Sequence, residues 1–179
     1  MQDYLNETVE TSRITLIHNP IDADTRQPWI ATQLAGLMGT AEKYVMIQTP
    51  YSVGNKALIA DLTEIADKTE LIYITNSSAS TPNITAFSNY YGHRQKFVDS
   101  GAHVFEYQSS DSIHGKSILI DGRISVIGSF NMDDRSVYLD TETMLVIDSP
   151  ALAEQLGDAM GDIINTSLQV SEENDYIES

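Results

Sequence analysis

The chain contains no cysteine. That excludes disulfide frameworks and thiolate metal sites, and it leaves the redox compartment undetermined. Basic residues are scarce: ten lysines and arginines stand against 26 aspartates and glutamates, a formal net charge of −16 over 179 residues. A protein that grips nucleic acid by its phosphates presents a basic face, whereas the average field of this chain repels polyanions and anionic membranes alike. Screening confines that repulsion to about 8–10 Å near physiological salt, so a local cationic pocket can still hold one phosphate. No apolar run approaches the roughly 18 residues of a membrane span. The opening "MQDYLNETVETSR" has no basic stretch leading into an apolar one, so no signal peptide is expected in it. There is no Gly-x-Gly-x-x-Gly, no P-loop, no internal repeat and no cluster of histidines and acids at metal-ligand spacing.

What is present is a globular composition, 41% hydrophobic, arranged as alternating strand and helix signals. "RITLIHN" is short and β-rich, and the polar segment Asn19 to Asp24 reads as a loop. Ile30, Leu34, Leu37, Met38 and Ala41 then form one helical stripe. "KYVMIQT" is an apolar strand, and Asn55 is placed to cap a helix that buries Leu58, Leu62, Ile65 and Ala66. "ELIYITN" is a further strand. Thr81 and Pro82 read as the start of a helix that runs to about Ser100 and closes at Gly101. "HVFEY" follows, then "KSILIDG" and "RISVIGS", a hairpin about Asp121-Gly122. "TETMLVI" and a last helix capped by Ser149-Pro150 complete the pattern. The expected fold is α/β: a mixed sheet of about seven strands with four helices on both faces, parallel in its early part and antiparallel at the hairpin. The expected organisation is an extension over 1–12, one domain over 13–168 and a disordered acidic tail over 169–179.

The chemistry concentrates in "IHGKSILIDGRISVIGSFN", Ile113 to Asn131. In an extended strand, residues two apart share a face, which would set His114 beside Lys116 as a small cationic spot. Neutral imidazole can attack phosphorus or take a proton, and ammonium can neutralise phosphoryl oxygens. Ser129 and Asn131 close the second strand, and both can donate to phosphate oxygens. Each residue alone has an ordinary reading. A lone histidine at a strand start is a surface residue, Lys116 is edge protection, and Gly128-Ser129 is a strand end. The combination carries the weight, with His-x-Lys-x4-Asp-x6-Gly-Ser-x-Asn met at all six specified positions.

This stretch resembles the HKD signature of the phospholipase D superfamily through His114, Lys116, Asp121, Gly128, Ser129 and Asn131. "NMDDRSVYLDTE" is similar to the family's continuation, with Arg135, Ser136 and Glu142 matching and Asp140 standing where asparagine is usual. "QTPYSVGNKALIADL" and "TNSSAST" resemble the segments before the second such motif in bacterial cardiolipin synthases, so the likeness runs from about Arg13 to Ile164. The resemblance implies a site built from two motifs across a pseudo-two-fold axis. One histidine forms a phosphohistidine and the other protonates the leaving alcohol, with no metal or other cofactor. It makes His114, Lys116, Asn131 and Glu142 the expected catalytic group, Glu142 as orienter of the His114 ring. Gly128, Ser129, Arg135 and Ser136 become supporting phosphate contacts. Asp121 reads as structural, in the turn. Arg135 either supports the site or pairs with Asp133 or Asp134. Tyr51 either lines the pocket or packs in the core, and His18, His93 and His103 read as structural or solvated.

One motif is half of what that chemistry asks for, and none of His18, His93 and His103 has a lysine two places on. The chain is expected to be the C-terminal half of a two-motif enzyme, with a self-completing homodimer and an inert half as alternatives. The expected partners are a phospholipid such as phosphatidylglycerol and a second HKD half, with no nucleic acid. The expected place is cytoplasmic and peripheral at the membrane. Phosphatidyl transfer of the cardiolipin synthase type ranks first among the functions, ahead of phospholipase D hydrolysis, a nuclease and an inactive interaction half.

Overall fold

The structure, a computed structural model, describes residues 8–20 and 27–171, apart from the side chain of residue 86. Its elements are β1 (Arg13–His18), α1 (Trp29–Met38), β2 (Tyr44–Gln48), α2 (Lys56–Ala66), β3 (Glu70–Asn76), α3 (Ile84–Tyr91), α4 (Arg94–Asp99), β4 (His103–Tyr107), β5 (Ser117–Ile120), β6 (Ile124–Gly128), α5 (Asp134–Tyr138), β7 (Thr143–Asp148), α6 (Pro150–Asn165) and β8 (Ser167–Gln169). All the strands join in one eight-stranded sheet of order β1-β7-β6-β5-β2-β3-β4-β8. β2, β3 and β4 are parallel, and every other pairing is antiparallel.

Strand alternation sorts the apolar side chains onto two faces. Val45, Ile47, Leu71, Tyr73, Val104, Ile118 and Val126 form the larger core with α1, α2 and α4. Met46, Ile74 and Leu119 face the other way and pack on Ala153 and Met160 of α6. The caps come from local chemistry. Asn55 accepts the Leu58 N–H at 2.8 Å to open α2, and Ser149 accepts the Leu152 N–H at 3.3 Å with Pro150 in the first turn of α6. Asp121 and Gly122 have φ of 54° and 66°, the backbone of a tight hairpin turn between β5 and β6.

Several expectations are corrected. β1 does not pair in parallel with β2; β7, β6 and β5 lie between them, and β1 closes the edge antiparallel to β7. A strand's alternation sets which side faces the core but not which strand it joins. The single helix expected from Thr81 to Ser100 starts at Ile84 and breaks between Tyr91 and Arg94. Thr81 Oγ1 accepts the Asn83 N–H at 3.3 Å, so it forms a local turn before the helix. Across the break, Tyr90 and Arg94 both converge on the fully buried Glu106, donating at 2.7 Å each. Ordered structure continues past residue 168: Gln169 belongs to β8, and Val170 is buried with its N–H on the Val104 carbonyl. Most of the acidic tail and of the loop Asn19 to Asp24 lies outside the described residues, as do residues 1–7 of the extension.

Candidate active site

Residues 113–116 lie between β4 and β5, beside the carboxyl ends of the parallel strands β2 and β3. They are not part of a strand, as the parity argument had assumed; β5 begins at Ser117. Another contact sets the relation of His114 and Lys116. Lys116 Nζ curls back and donates to the His114 carbonyl at 2.8 Å. The hairpin supplies the second strand, with the Gly128 N–H on the Lys116 carbonyl at 3.1 Å. Gly128 is needed for close approach, because a Cβ there would collide with the Thr143 carbonyl and with Met144.

Lys116 is only 8% exposed. Burial holds its pKa below the usual lysine value, and the negative charges of Glu142 and Asp133 oppose that shift. His114 is exposed, and its ring meets Tyr51 edge-on with centroids 6.3 Å apart. The sequence alone had left Tyr51 between pocket and core; the structure sets it against the histidine.

Asn131, Ser136 and Glu142 form a buried chain. Ser136 Oγ donates to Glu142 Oε1 at 2.7 Å and accepts the Asn131 N–H at 3.1 Å. Asn131 Oδ1 is buried without a hydrogen-bond partner among the described residues. The expected orienting bond from Glu142 to the His114 ring is not formed: Ser136 takes the carboxylate, and the imidazole has no hydrogen bond to a described residue. Asp133 caps α5 by accepting the Ser136 N–H at 2.8 Å, and its burial pushes its pKa up. Sequence reasoning missed Asn19, whose buried amide donates to the Ser136 and Asp140 carbonyls at 3.2 and 3.0 Å. The residue after β1 thereby ties down the middle of α5 and the segment just beyond it, and only a long-range contact could have revealed it.

The remaining residues sit further out. Ser129 Oγ exchanges hydrogen bonds with the Thr143 backbone, accepting at 3.1 Å and donating at 3.4 Å, so its hydroxyl is committed to β7. Arg135 pairs at 2.8 Å with Asp140, not with Asp133 or Asp134, at the surface. Asp121 accepts the backbone N–H groups of Glu42, Lys43 and Tyr44 at 2.8–3.0 Å. Partial burial raises its pKa, and those bonds together with Lys43 outweigh that and hold it below the usual carboxylate value. His18 and His93 bond backbone carbonyls at 2.9 Å, and His103 lies 3.5 Å from Gln169. Among the described residues no group of acids and histidines could hold a metal. An apolar cavity of about 200 Å³ opens between α1, α2 and α5, backed by Phe130 and Met132; neither His114 nor Lys116 lines it.

A His-x-Lys segment thus lies at the middle of a mixed sheet, facing a Gly-Ser-x-Asn strand end. In backbone fold the chain is similar to Nuc, a phospholipase D family member from Salmonella typhimurium, with a TM-score of 0.74 at 15% identity, over 89% of this chain and 99% of that one. Residues 34–163 match the family model described as the phospholipase D-like domain of cardiolipin synthase, and the chain belongs to that family. Cardiolipin synthase C of Escherichia coli is 29% identical over 147 residues, 72% of this chain and 31% of that protein. An uncharacterised Helicobacter pylori protein is 32% identical over 130 residues, 65% of this chain and 26% of its own length. The chain thus spans between a quarter and a third of these relatives.

Proposed function

We propose that this chain supplies one half of a phosphatidyl-transfer site of the cardiolipin synthase type, working through a phosphohistidine. The observation that carries the reading is Lys116. It is a buried ammonium with no carboxylate of a described residue in direct contact, one donor spent on the His114 carbonyl and two left over among the described residues. Such a cation suits an anion that arrives from outside, and a phosphoryl group beside the exposed His114 is that anion. Asn131 stands with the ammonium as a phosphoryl contact, held by Ser136, and Glu142 acts on the site through Ser136 and through its field on Lys116.

A single His114 cannot serve as both nucleophile and acid to the leaving alcohol at one instant, so a second HKD half completes the site, from the same polypeptide or from a second copy. The surface it would cover is an apolar row on the α6 side of the sheet. Leu16, Leu145 and Ile127 are cross-strand neighbours on β1, β7 and β6, exposed by 59%, 41% and 37%. Ile14 continues the patch at 58%. Ser129 follows Ile127 on the same strand face, so a body seated on this row abuts the cassette.

The lipid is a glycerophospholipid such as phosphatidylglycerol, met at a membrane surface. No described helix is long and apolar enough to cross one. Hydrolysis with water as acceptor is the second reading, favoured by the open position of His114. Labelled phosphatidylglycerol vesicles and plasmid DNA, offered to the longest natural form of the protein and to its His114→Ala variant, test both. Lipid product that depends on His114 is expected. DNA cleavage without lipid product, or equal rates in both proteins, would overturn the proposal.

A further inference from the structure

We infer that Asn76 is a positioning residue for His114, a role carried by its side-chain amide rather than by the sheet. The inference rests on the reading of His114 as the reacting imidazole. Its starting point is the segment 113–115, which holds the histidine yet joins no strand ladder. A segment without ladder bonds needs other partners for its buried backbone groups. Asn76, the last residue of β3, provides them. Its Nδ2 donates to the Ile113 carbonyl at 3.0 Å, and its Oδ1 accepts the Ile113 N–H at 3.0 Å. One side chain therefore imitates the two-bond exchange of an antiparallel residue pair. Ile113 is the residue before His114, so the clamp fixes the peptide on which the imidazole is mounted.

The amide itself is over-determined. Its second N–H reaches the Pro50 carbonyl at 3.3 Å, and its oxygen takes a further bond from Ser80 Oγ at 3.1 Å. All four of its hydrogen-bonding positions are filled, and the residue is 2% exposed. Pro50 precedes Tyr51, the ring that meets His114 edge-on. The amide thus ties the backbone before the histidine to the backbone before its aromatic neighbour. The hydrophobic side chain of Ile113 anchors the same point from below, buried with Leu119 and Met160. Aspartate at 76 would keep the shape and both acceptors but lose both donors, and would set a carboxylate against two carbonyl oxygens. Alanine would leave the Ile113 N–H and carbonyl without partners.

The test uses the 179-residue chain and nuclear magnetic resonance, because it reads the clamp whether or not the chain turns over. In the unsubstituted protein the Ile113 amide is expected to resist hydrogen exchange at least a hundredfold more than the amides of Ser112 and Gly115. Exchange of Ile113 at the same rate as those two overturns the inference without any variant. In Asn76→Asp and Asn76→Ala the protection should disappear, and the His114 ring signals, assigned with His114→Ala, should shift or broaden. Leu62→Ala, in the core beneath α2, is the comparator: it lowers stability but should leave the His114 signals in place. Unchanged His114 signals in a folded Asn76 variant, or an equal change in Leu62→Ala, would reduce Asn76 to an ordinary structural residue. In the longest natural form of the protein, kcat should fall about tenfold to a hundredfold with KM nearly constant, the cost of a misplaced reacting group. A clamp confirmed by exchange with no change in kcat would leave the geometry standing and sink the link to His114 chemistry.

Discussion

The two halves of the sheet differ on one face. From β5 to β4, the side chains on the α6 side are roofed by Leu156, Met160 and Ile163, and Ile74 and Leu119 are buried. From β6 to β1 the same face carries Ile127, Leu145, Leu16 and Ile14 in the open. Both halves have the alternation of a two-sided sheet, but among the described residues α6 reaches only as far as Ser125 and Ile147 in the second and leaves the outer row bare. The lesson is that apolar pattern reports where burial is wanted, and the source of that burial has to be sought elsewhere. His114 and Lys116 lie at the seam, where covered β5 meets the open Ile127 end of β6.

The largest expected effect is at the seam itself. Lys116→Ala or His114→Ala should lower phosphodiester turnover of the longest natural form at least about a thousandfold, through loss of charge stabilisation or of the nucleophile or acid. Steady-state kinetics on labelled lipid check this. Next comes the roofed half: Met160→Ala, at a fully buried position, should cost about 2–5 kcal/mol in urea unfolding. The turn gives less. Asp121→Ala removes three backbone bonds and should cost about 1–2 kcal/mol, a figure held down by partial solvent exposure. Because the folded pKa of Asp121 is depressed, its contribution is fully present above the unfolded value near about 3.9 and is lost as pH falls through the folded value. The stability difference between the two proteins should therefore shrink in acid titration as pH falls below the ordinary carboxylate range. The smallest effect on stability falls on the bare half. Leu16→Ser with Leu145→Ser should change unfolding of the isolated chain by no more than about 0.5 kcal/mol per site, yet sharply weaken association with the second half in sedimentation or complementation. A destabilisation matching Met160→Ala would mean the bare face is core after all.

What could be read along the chain was whatever rests on neighbours in sequence. The Asp121-Gly122 turn, the Asn55 and Ser149 caps and the six spaced residues of the cassette needed no knowledge of distant contacts. The misses have the opposite character. α5 is five residues long, too short to show a helical period, and is stabilised by Asp133 and by Asn19 from far upstream. β8 is three residues whose strand identity comes from pairing with β4. Parity placed Lys116 correctly near His114 for the wrong reason, since a lysine bond to a backbone carbonyl and an asparagine clamp replace the strand that was assumed. Glu142 is expected beside the His114 ring, but its bonded neighbour is Ser136, which no spacing rule reveals.

Asn19 reaches 117 and 121 residues ahead to the carbonyls of Ser136 and Asp140, and β1 joins β7. During synthesis, then, β1 is made before every other strand of this sheet yet is among the last to find its mate. Until residue 148 has left the exit tunnel it has neither ladder nor clamp, while β2, β3 and β4 can already assemble through nearer contacts. The edge of this sheet is therefore a late event in the birth of the chain, and β1 spends that interval with Ile14, Leu16 and its own backbone open to any other strand that comes by.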